Sequence, residues 1–124
     1  MQNQNLKGLN KCVFYFPLIK NLFIFLQKKI IMFKINSYYD SNVQSIGFED
    51  SEGKASIGVM NVGEYEFATS QKEIMKFISG KFDVKLPGSC RWKKIELNEA
   101  FEIEAGKKFK VKITEIASYI CLYR

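Results

Sequence analysis

KFKVKITE, residues 108–115, is the stretch that decides the fold. Phe109, Val111 and Ile113 fall on one face of an extended strand, because successive side chains of a strand point to opposite sides. A lysine precedes each of the three and falls on the other face. The segment therefore predicts a strand with one face in the core and a charged face toward solvent.

Similar short segments recur from Val43 to Arg124 at spacings of roughly 8 to 12 residues, with Gly, Asn, Asp or Pro between them, as in sandwiches and barrels. They are VQSIGF (43–48), ASIGVM (55–60), EYEFAT (64–69), EIMKFISG (73–80), KFDVKL (81–86), RWKKIEL (91–97), AFEIE (100–104), KFKVKITE (108–115) and SYICLYR (118–124). No stretch from residue 32 onward has a helical period long enough to predict a helix. The sequence therefore predicts an all-β domain.

Composition indicates one globular domain. The chain has 124 residues, of which 47% are apolar and 26% charged, which excludes a disordered or multidomain protein. The net charge of +6 arises mainly from residues 1–31, which carry five lysines and no acid. From Met32 onward 14 basic residues face 13 acidic ones. We therefore expect no nucleic-acid binding by the domain.

The N-terminal segment has a character of its own. Residues 12–26 form an apolar run that Pro17, Lys20 and Asn21 interrupt, and it is shorter than the roughly 20 residues that a spanning helix needs. It is interpreted either as a membrane-associating segment or as an upstream extension of the gene model. We expect residues 1–31 to lie outside the fold, the domain to cover 32–124, and this domain not to bind a membrane.

Cysteine and histidine content restricts the chemistry. Cys12, Cys90 and Cys121 are odd in number, and their spacing matches neither a zinc site nor a redox CxxC, so a reducing cytoplasm is the expected location. The chain has no histidine, the usual residue for proton transfer at neutral pH. Catalysis would have to use carboxylates, Tyr, Lys, Arg and backbone groups.

The order of these segments resembles the pyrimidine/purine nucleoside phosphorylase family, which consists of small one-domain proteins with a cupin-like barrel. The segments that carry the resemblance are VQSIGF, ASIGVM, GEYEFAT, EIMKFISGKFDVKLP, Trp92, IEAGKKFKV and SYICLYR. The resemblance covers 32–124 and none of 1–31. It implies a single cupin-like (jelly-roll) β-barrel and phosphorolysis of purine and pyrimidine nucleosides to free base and ribose 1-phosphate. Nucleosides and inorganic phosphate are thus the expected partners.

Cupins commonly hold a metal through histidines, and this sequence departs from that pattern. At the spacings of the two cupin metal motifs stand Gly58, Glu64, Glu66, Glu73 and Gly80, and then Glu104, Gly106 and Phe109. Another residue fills every histidine position, and phenylalanine cannot coordinate a metal. We expect an enzyme without metal or other cofactor; a divalent ion held by carboxylates alone is the alternative.

Phosphate binding calls for cations and free backbone N–H groups. Arg91 is the first candidate, because its planar fork of donors matches phosphate oxygens. Lys76 and Lys81 are further candidate cations, and Ser79 with Gly80 forms a candidate donor turn. The alternative for the charged residues is an ordinary solvated surface.

Broad base specificity calls for aromatic stacking, which tolerates any base. The candidates on the resembling segments are Tyr65, Phe67, Trp92, Phe109 and Tyr119, for each of which core packing is the alternative. Tyr65 and Phe67 share one strand face and Glu64 and Glu66 the other. The cupin motif predicts the glutamates inside, whereas apolar patterning predicts the aromatics inside, and the sequence leaves this open.

The candidate proton donors are Glu73, Glu64 and Tyr65. A carboxyl group among apolar neighbours favours its protonated form and can donate near neutral pH; Glu73 ranks first because it aligns with the glutamate of the cupin motif. The aromatic content of 15% leaves apolar surface for a second copy, so a homodimer is expected. The competing hypothesis is a cupin-like module that binds a small ligand without catalysis.

Overall fold

The computed structural model describes residues 33–124, which form eight strands and no helix. The strands are β1 (Lys34–Tyr38), β2 (Val43–Asp50), β3 (Gly53–Met60), β4 (Gly63–Ala68), β5 (Glu73–Lys85), β6 (Lys93–Lys94), β7 (Ala100–Ile103) and β8 (Lys108–Tyr123). The predicted all-β class is confirmed. Within this part of the chain no helix is long and apolar enough to cross a membrane. The predictions for residues 1–31 lie outside the described residues.

All strand pairs are antiparallel, in the order β1-β2-β3-β8-β5-β6, with β4 also on β8 and β7 also on β5. Strand β8 is the centre of this arrangement. It pairs with β5 along one edge, and along the other with β4 over residues 108–113 and with β3 over 117–122. Pairing around a closed barrel stays a prediction.

The core follows the alternation of β8 and its neighbours. Phe109, Val111 and Ile113 are all at most 2% exposed, while the side chains between them are charged lysines that point away. The predicted two faces of this strand are therefore confirmed. Full burial of a large apolar side chain stabilises the fold by about 1.5–3 kcal/mol, so this inner face makes a large contribution to the stability of the core.

Strand β5 is continuous where the sequence suggested two strands that meet at residues 80 and 81. Its register against β8 shifts between Phe77 and Phe82, so the buried positions change from odd numbers (Met75, Phe77) to even ones (Phe82, Val84). A β-bulge has this effect. Gly80 lies within the bulge with φ +93°, and a Cβ there would come within 2.6 Å of the Ala117 Cα. The apparent break in the pattern is thus a bulge.

Three further strand boundaries differ from the sequence prediction. Segments 108–115 and 118–124 belong to one strand, β8. Of the predicted strand 91–97 only Lys93–Lys94 pairs, with β5, and Ile95 is the one buried residue of the segment. Strand β1 was not predicted, because KINSY is exposed along almost its whole length and lacks apolar alternation.

Candidate functional site

A cavity of about 430 Å³ opens on the inner face of the sheet. It is bounded by parts of β2 to β5, by β8 and by the β1–β2 turn. Six aromatic residues contribute much of its lining: Tyr38, Tyr39, Phe67, Phe109, Tyr119 and Tyr123. The cavity has the aromatic character of a site for a flat organic ligand.

Glu73 brings a carboxyl group into this aromatic cavity. It is the first residue of β5 and shares the inner face with Met75 and Phe77. Burial raises the pKa of its carboxyl group, and a hydrogen bond from the Cys121 thiol opposes part of that rise. The Cys121 Sγ lies 3.6 Å from Glu73 Oε2. At neutral pH a larger share of Glu73 is protonated than of a free glutamate.

Two tyrosine hydroxyls on β8 add neutral hydrogen-bonding groups. Tyr119 is 5% exposed, and burial raises its pKa to about 12. Its ring lies against Gly58, where a Cβ would come within 2.5 Å of the hydroxyl oxygen. The Tyr123 hydroxyl lies 2.8 Å from Ser56 Oγ, and burial also raises its pKa. The cavity therefore contains uncharged phenols that can donate or accept hydrogen bonds.

The β1–β2 turn forms part of the rim of the cavity. Tyr39, Asp40 and Ser41 all have positive φ, at 52°, 53° and 68°, a conformation that costs energy for residues other than glycine. The Tyr39 hydroxyl forms hydrogen bonds with the backbone of Glu66 in β4. The Tyr39 ring also packs 5.2 Å from that of Tyr65, between ring centroids. These contacts fix the strained turn beside β4.

Four of the sequence-predicted residues meet at the cavity: Glu73, Phe67, Phe109 and Tyr119. The rings of Phe67 and Phe109 have centroids 5.6 Å apart. Because they lie on neighbouring strands, in register, they form one continuous aromatic wall. The structure thus brings the best-ranked acid together with three of the predicted stacking residues.

Strand β4 turns its aromatic residues inward, which answers the question that its sequence left open. Tyr65 is 5% exposed, and its hydroxyl donates to the Asn61 carbonyl oxygen at 2.8 Å. It packs behind Phe67 and is not among the residues that line the cavity. Glu64 is exposed on the opposite face. Among the candidate proton donors, only Glu73 therefore lines the cavity.

The predicted phosphate ligands lie elsewhere. Arg91 is exposed in the turn after Ser89, to whose Oγ its backbone N–H donates. Lys76 lies on β5 between two inward residues and so points outward. The Ser79 hydroxyl is exposed and pairs with that of Ser118 at 2.6 Å. None of these three lines the cavity.

Trp92 is also away from the cavity. Its ring lies between two ammonium groups, at 4.9 Å from Lys85 Nζ and 4.3 Å from Lys112 Nζ. Both lysines alternate with buried residues and therefore belong to the outer face of the sheet. The tryptophan thus covers the outside, where cation–π contacts of about 0.5–1 kcal/mol are typical at exposed sites.

Sequence analysis missed several cavity residues, among them Cys121, Tyr123, Tyr38 and Tyr39. The alternation within SYICLYR places Tyr119, Cys121 and Tyr123 on one face, so the first two omissions had a signal. Tyr38, the last residue of β1, and Tyr39, in the turn after it, had none, because this largely exposed stretch carries no apolar alternation.

The outer face carries a second depression, of about 600 Å³, lined by Val59 and four isoleucines (Ile35, Ile46, Ile57 and Ile116) together with small and amide side chains. None of its lining residues titrates, which makes it unsuitable for acid chemistry. Between Phe33 and Arg124 no three acids or cysteines gather into a group that could hold a metal. The expectation of a metal-free enzyme stays a prediction.

A family model described as pyrimidine/purine nucleoside phosphorylase matches residues 33–123. The chain belongs to this family. Proteins named pyrimidine/purine nucleoside phosphorylase include one from Pseudomonas syringae pv. tomato, 48% identical over 93 residues, which are 75% of this chain and 100% of that protein. The one from Rhodopirellula baltica is 48% identical over 90 residues, or 73% of this chain and 98% of that protein. The family resemblance found in the sequence is thereby confirmed.

Solved structures agree on the fold. A protein of unknown function from Vibrio parahaemolyticus has a TM-score of 0.69 at 33% identity and covers 73% of this chain and 96% of its own. More distant matches are the EutQ protein of Clostridium difficile (TM-score 0.53, 19% identity, 64% of each chain) and the polyketide cyclase RemF of Streptomyces resistomycificus (0.57, 11%, 73% of this chain and 72% of its own). These neighbours agree with an all-β, cupin-like fold class, whereas closure of the sheet into a barrel stays a prediction.

Proposed function

We propose that this chain catalyses the phosphorolysis of purine and pyrimidine nucleosides to free base and ribose 1-phosphate. One observation carries the proposal: a half-buried carboxyl group with a raised pKa, that of Glu73, lies in the aromatic cavity. The names of the relatives point to the same reaction. In this reaction a phosphate oxygen bonds to C1′ of the ribose while the bond from C1′ to the base nitrogen breaks.

Glu73 is the proposed general acid. Negative charge collects on the base as it leaves, and a proton delivered to the base lowers the barrier. A carboxyl group can deliver that proton only while it is protonated, and burial of Glu73 favours that form. Glu64 and Tyr65 were the other sequence candidates; one is exposed on the outer face and the other is engaged with Asn61.

Phe67, Phe109 and Tyr119 are the proposed binding residues for the base. Stacking on an aromatic ring is worth about 1–3 kcal/mol per base and does not distinguish purines from pyrimidines. The neutral hydroxyls of Tyr119 and Tyr123 can bond to either donors or acceptors on the ligand. Such a site fits a substrate range that includes both base classes.

For phosphate we propose an approach past Glu66, at the rim of the cavity. The cavity-lining residues include no lysine or arginine, but Glu66 at the rim is 4.0 Å from Lys108 Nζ and 3.8 Å from Lys110 Nζ. Such exposed ion pairs are worth about 0–1 kcal/mol. Because Lys108 and Lys110 alternate with buried residues and lie on the outer face of the sheet, we propose that they attract phosphate toward the rim and do not themselves hold it against the ribose.

The test is product analysis with matched variants. Purified protein is incubated with uridine, adenosine, inosine or guanosine, with and without phosphate, and free base is measured by chromatography. We expect phosphate-dependent base release that Glu73→Gln abolishes. The control is Glu64→Gln, the same change on the outer face, which should retain activity. Absence of free base from every wild-type mixture would overturn the proposal.

A binding module without catalysis is the second candidate. The absence of a lysine or arginine among the cavity-lining residues favours it, because a neutral ligand needs no cation. In that case nucleosides would bind with the same affinity with and without phosphate, and no base would appear. Calorimetric titration beside the product analysis separates the two functions.

We also propose that the protein is a homodimer that pairs through the outer face. Ile35, Ile46, Ile57 and Ile120 occupy consecutive positions across β1, β2, β3 and β8, and the first three are 70%, 46% and 48% exposed. A continuous apolar row of this kind is unusual on a monomer surface. A second copy related by two-fold symmetry can cover it with the same row.

The remaining predictions concern the extent of the domain and its location. We propose that residues 32–124 suffice for the activity, since the relative from Pseudomonas syringae pv. tomato matches this chain over 93 residues, which are 100% of its own length. We further propose a cytoplasmic location, in keeping with the free thiols of Cys90 and Cys121. Comparison of the full chain with one that starts at Met32 tests the first, and mass spectrometry of the native N-terminus shows which form cells make.

A further inference from the structure

Glu73 and Cys121 are neighbours on the inner face of two paired strands. Glu73 of β5 is paired with Tyr123 of β8, and Met75 is paired with Cys121, so Cys121 is the diagonal neighbour of Glu73 within the sheet. Cys121 is 1% exposed, and its Sγ lies 3.6 Å from Glu73 Oε2. The strand register thus fixes the thiol beside one carboxyl oxygen.

The other carboxyl oxygen has a different environment. No buried side-chain nitrogen or oxygen among residues 33–124 lacks a hydrogen-bond partner. Among the described residues Oε1 of Glu73 has no hydrogen-bond partner, and the side chain lines the cavity, so this oxygen is the one available to a ligand. The two oxygens therefore differ: the Cys121 thiol donates to Oε2, and Oε1 is available to a ligand.

Among the titratable groups near Glu73, the Cys121 thiol is the one that forms a hydrogen bond to its carboxyl group. The titratable residues that line the same cavity are Cys121, Tyr119 and Tyr123 on β8, Tyr38 at the end of β1, Tyr39 in the turn after it, and Glu66 at the rim on β4. From β7 the paired residue is Ile103, which does not titrate. The neighbouring Lys72 is engaged with Glu102 at 3.0 Å. Hydrogen bonding to Glu73 within the described chain therefore comes from the thiol.

Chemistry restricts that thiol to one role. Burial and the nearby Glu73 raise the pKa of Cys121 to about 12. At neutral pH it is a neutral S–H group, which is a weak donor and a poor nucleophile. Its use in the cavity is therefore as a hydrogen-bond donor to the carboxylate.

We propose that Cys121 is a positioning residue, whose thiol holds Oε2 of Glu73 so that Oε1 presents the proton to the bound base. The proposal rests on the proposed function, in which Glu73 is the general acid. The same hydrogen bond favours the ionised carboxyl group, so it sets how high in pH the acid stays protonated.

Two substitutions of Cys121 change the strength of the hydrogen bond to Glu73 in opposite directions. Cys121→Ala removes it, which raises the pKa of Glu73, whereas Cys121→Ser supplies a stronger donor, which lowers it. A general acid loses activity as pH rises through its pKa, so the alkaline limb of kcat/KM should move to higher pH in the alanine variant and to lower pH in the serine variant. Loss of orientation should also reduce kcat of Cys121→Ala by about three- to tenfold, with little change in KM.

The experiment measures the acid directly as well as through activity. The carbon-13 signal of the Glu73 carboxyl group, assigned by its loss in Glu73→Gln, is titrated with pH in the wild type and both variants. Cys90→Ala, a change at an exposed cysteine, is the control and should match the wild type. The pKa of Glu73 should be highest in Cys121→Ala, intermediate in the wild type and lowest in Cys121→Ser. The alkaline limbs of kcat/KM should fall in the same order.

The outcomes separate this proposal from the proposed function. If the Glu73 titration is the same in all three proteins, the positioning role is wrong, whatever the activity. If no protein releases base but the titration moves in the expected order, phosphorolysis fails while the thiol–carboxyl contact stands. Should the alanine variant not fold, the serine variant alone decides, because its titration must still fall below that of the wild type.

Discussion

The Tyr39 hydroxyl forms hydrogen bonds to both backbone groups of Glu66: it accepts from the Glu66 N–H at 3.1 Å and donates to the Glu66 carbonyl oxygen. A side chain here takes the place that a neighbouring strand would occupy beside β4, which pairs on its other edge with β8. The contact also holds the strained turn that follows β1. The rim of the cavity therefore depends on one phenol group.

Replacement of that phenol should loosen the rim. Tyr39→Phe keeps the ring contacts but removes both hydrogen bonds, so we expect a loss of about 1 kcal/mol in the free energy of unfolding. Urea denaturation measures it, and hydrogen exchange at the Glu66 amide should accelerate. Tyr38→Phe, a matched change at a residue of similar exposure, is the control. Equal stability of the two variants would contradict the assigned role of Tyr39.

Gly58 should be irreplaceable because of Tyr119. A Cβ at this position would lie 2.5 Å from the Tyr119 hydroxyl and 2.7 Å from the Gln44 carbonyl oxygen, so Gly58→Ala must displace the ring or the neighbouring strand. We expect about 1–3 kcal/mol of destabilisation and weaker nucleoside binding. In Gly47→Ala, the control, the new Cβ meets its nearest atoms at 3.8–3.9 Å. Thermal unfolding and calorimetry should distinguish the two variants clearly.

Glu73 should lower stability as pH rises. The unfolded chain releases this proton near the ordinary value of 4.5, whereas burial holds the folded pKa above it. Between the two values unfolding releases a proton, so stability falls with pH, and above the folded pKa the penalty is constant. Glu73→Gln carries no such penalty. Its stability relative to wild type should therefore increase from pH 4 toward neutrality in urea titrations; a pH-independent difference would show that burial does not perturb Glu73.

The aromatic wall should bind bases of either class. Phe67→Leu keeps an apolar side chain but removes the stacking ring, so nucleoside affinity should fall about 5- to 100-fold for both uridine and adenosine. Trp92→Leu is the informative control, because this tryptophan lies on the outer face between Lys85 and Lys112. Calorimetry should find its affinity unchanged. If Trp92→Leu weakened binding more than Phe67→Leu, the cavity would not be the binding site.

The isoleucine row should control oligomeric state. Ile57→Lys puts a charge in the middle of the proposed interface, so sedimentation velocity should detect a monomer where the wild type is a dimer. Leu97 is similarly exposed, at 49% against 48%, but lies in the turn before β7. Leu97→Lys should leave the dimer intact. A wild-type protein that sediments as one chain at all concentrations would refute the dimer.

Alternation predicted the strands and the buried face wherever one residue in two is apolar, as in Phe109, Val111 and Ile113. It failed at the bulge around Gly80, where the buried parity changes although the strand continues. It also missed β1, whose side chains are largely exposed. The pattern records burial and says little about hydrogen bonding between backbones.

The same limit explains the predicted site. The cupin motif selected Glu73, and the family resemblance selected Phe67, Phe109 and Tyr119 as stacking candidates. The sequence left open whether Phe67 points inward, and the structure shows that it does. Arg91 and Trp92 were selected for chemistry or resemblance, and they lie in or beside a turn, whose direction depends on tertiary contacts. Cys121 had the right alternation, but its proximity to Glu73 follows from the register of β5 against β8. The register between two strands depends on contacts between residues far apart in the sequence, so it cannot be predicted from a single sequence.

The central position of β8 has a consequence for biosynthesis. Strands β3, β4 and β5 all use β8 as a hydrogen-bonding neighbour, yet the ribosome makes β8 after each of them. Until it emerges, the nascent chain holds unpaired strand edges and an uncovered apolar face, which favour aggregation. Synthesis must therefore deliver this strand before the domain can fold, and a ribosome stalled ahead of residue 108 would hold a chain dependent on chaperones.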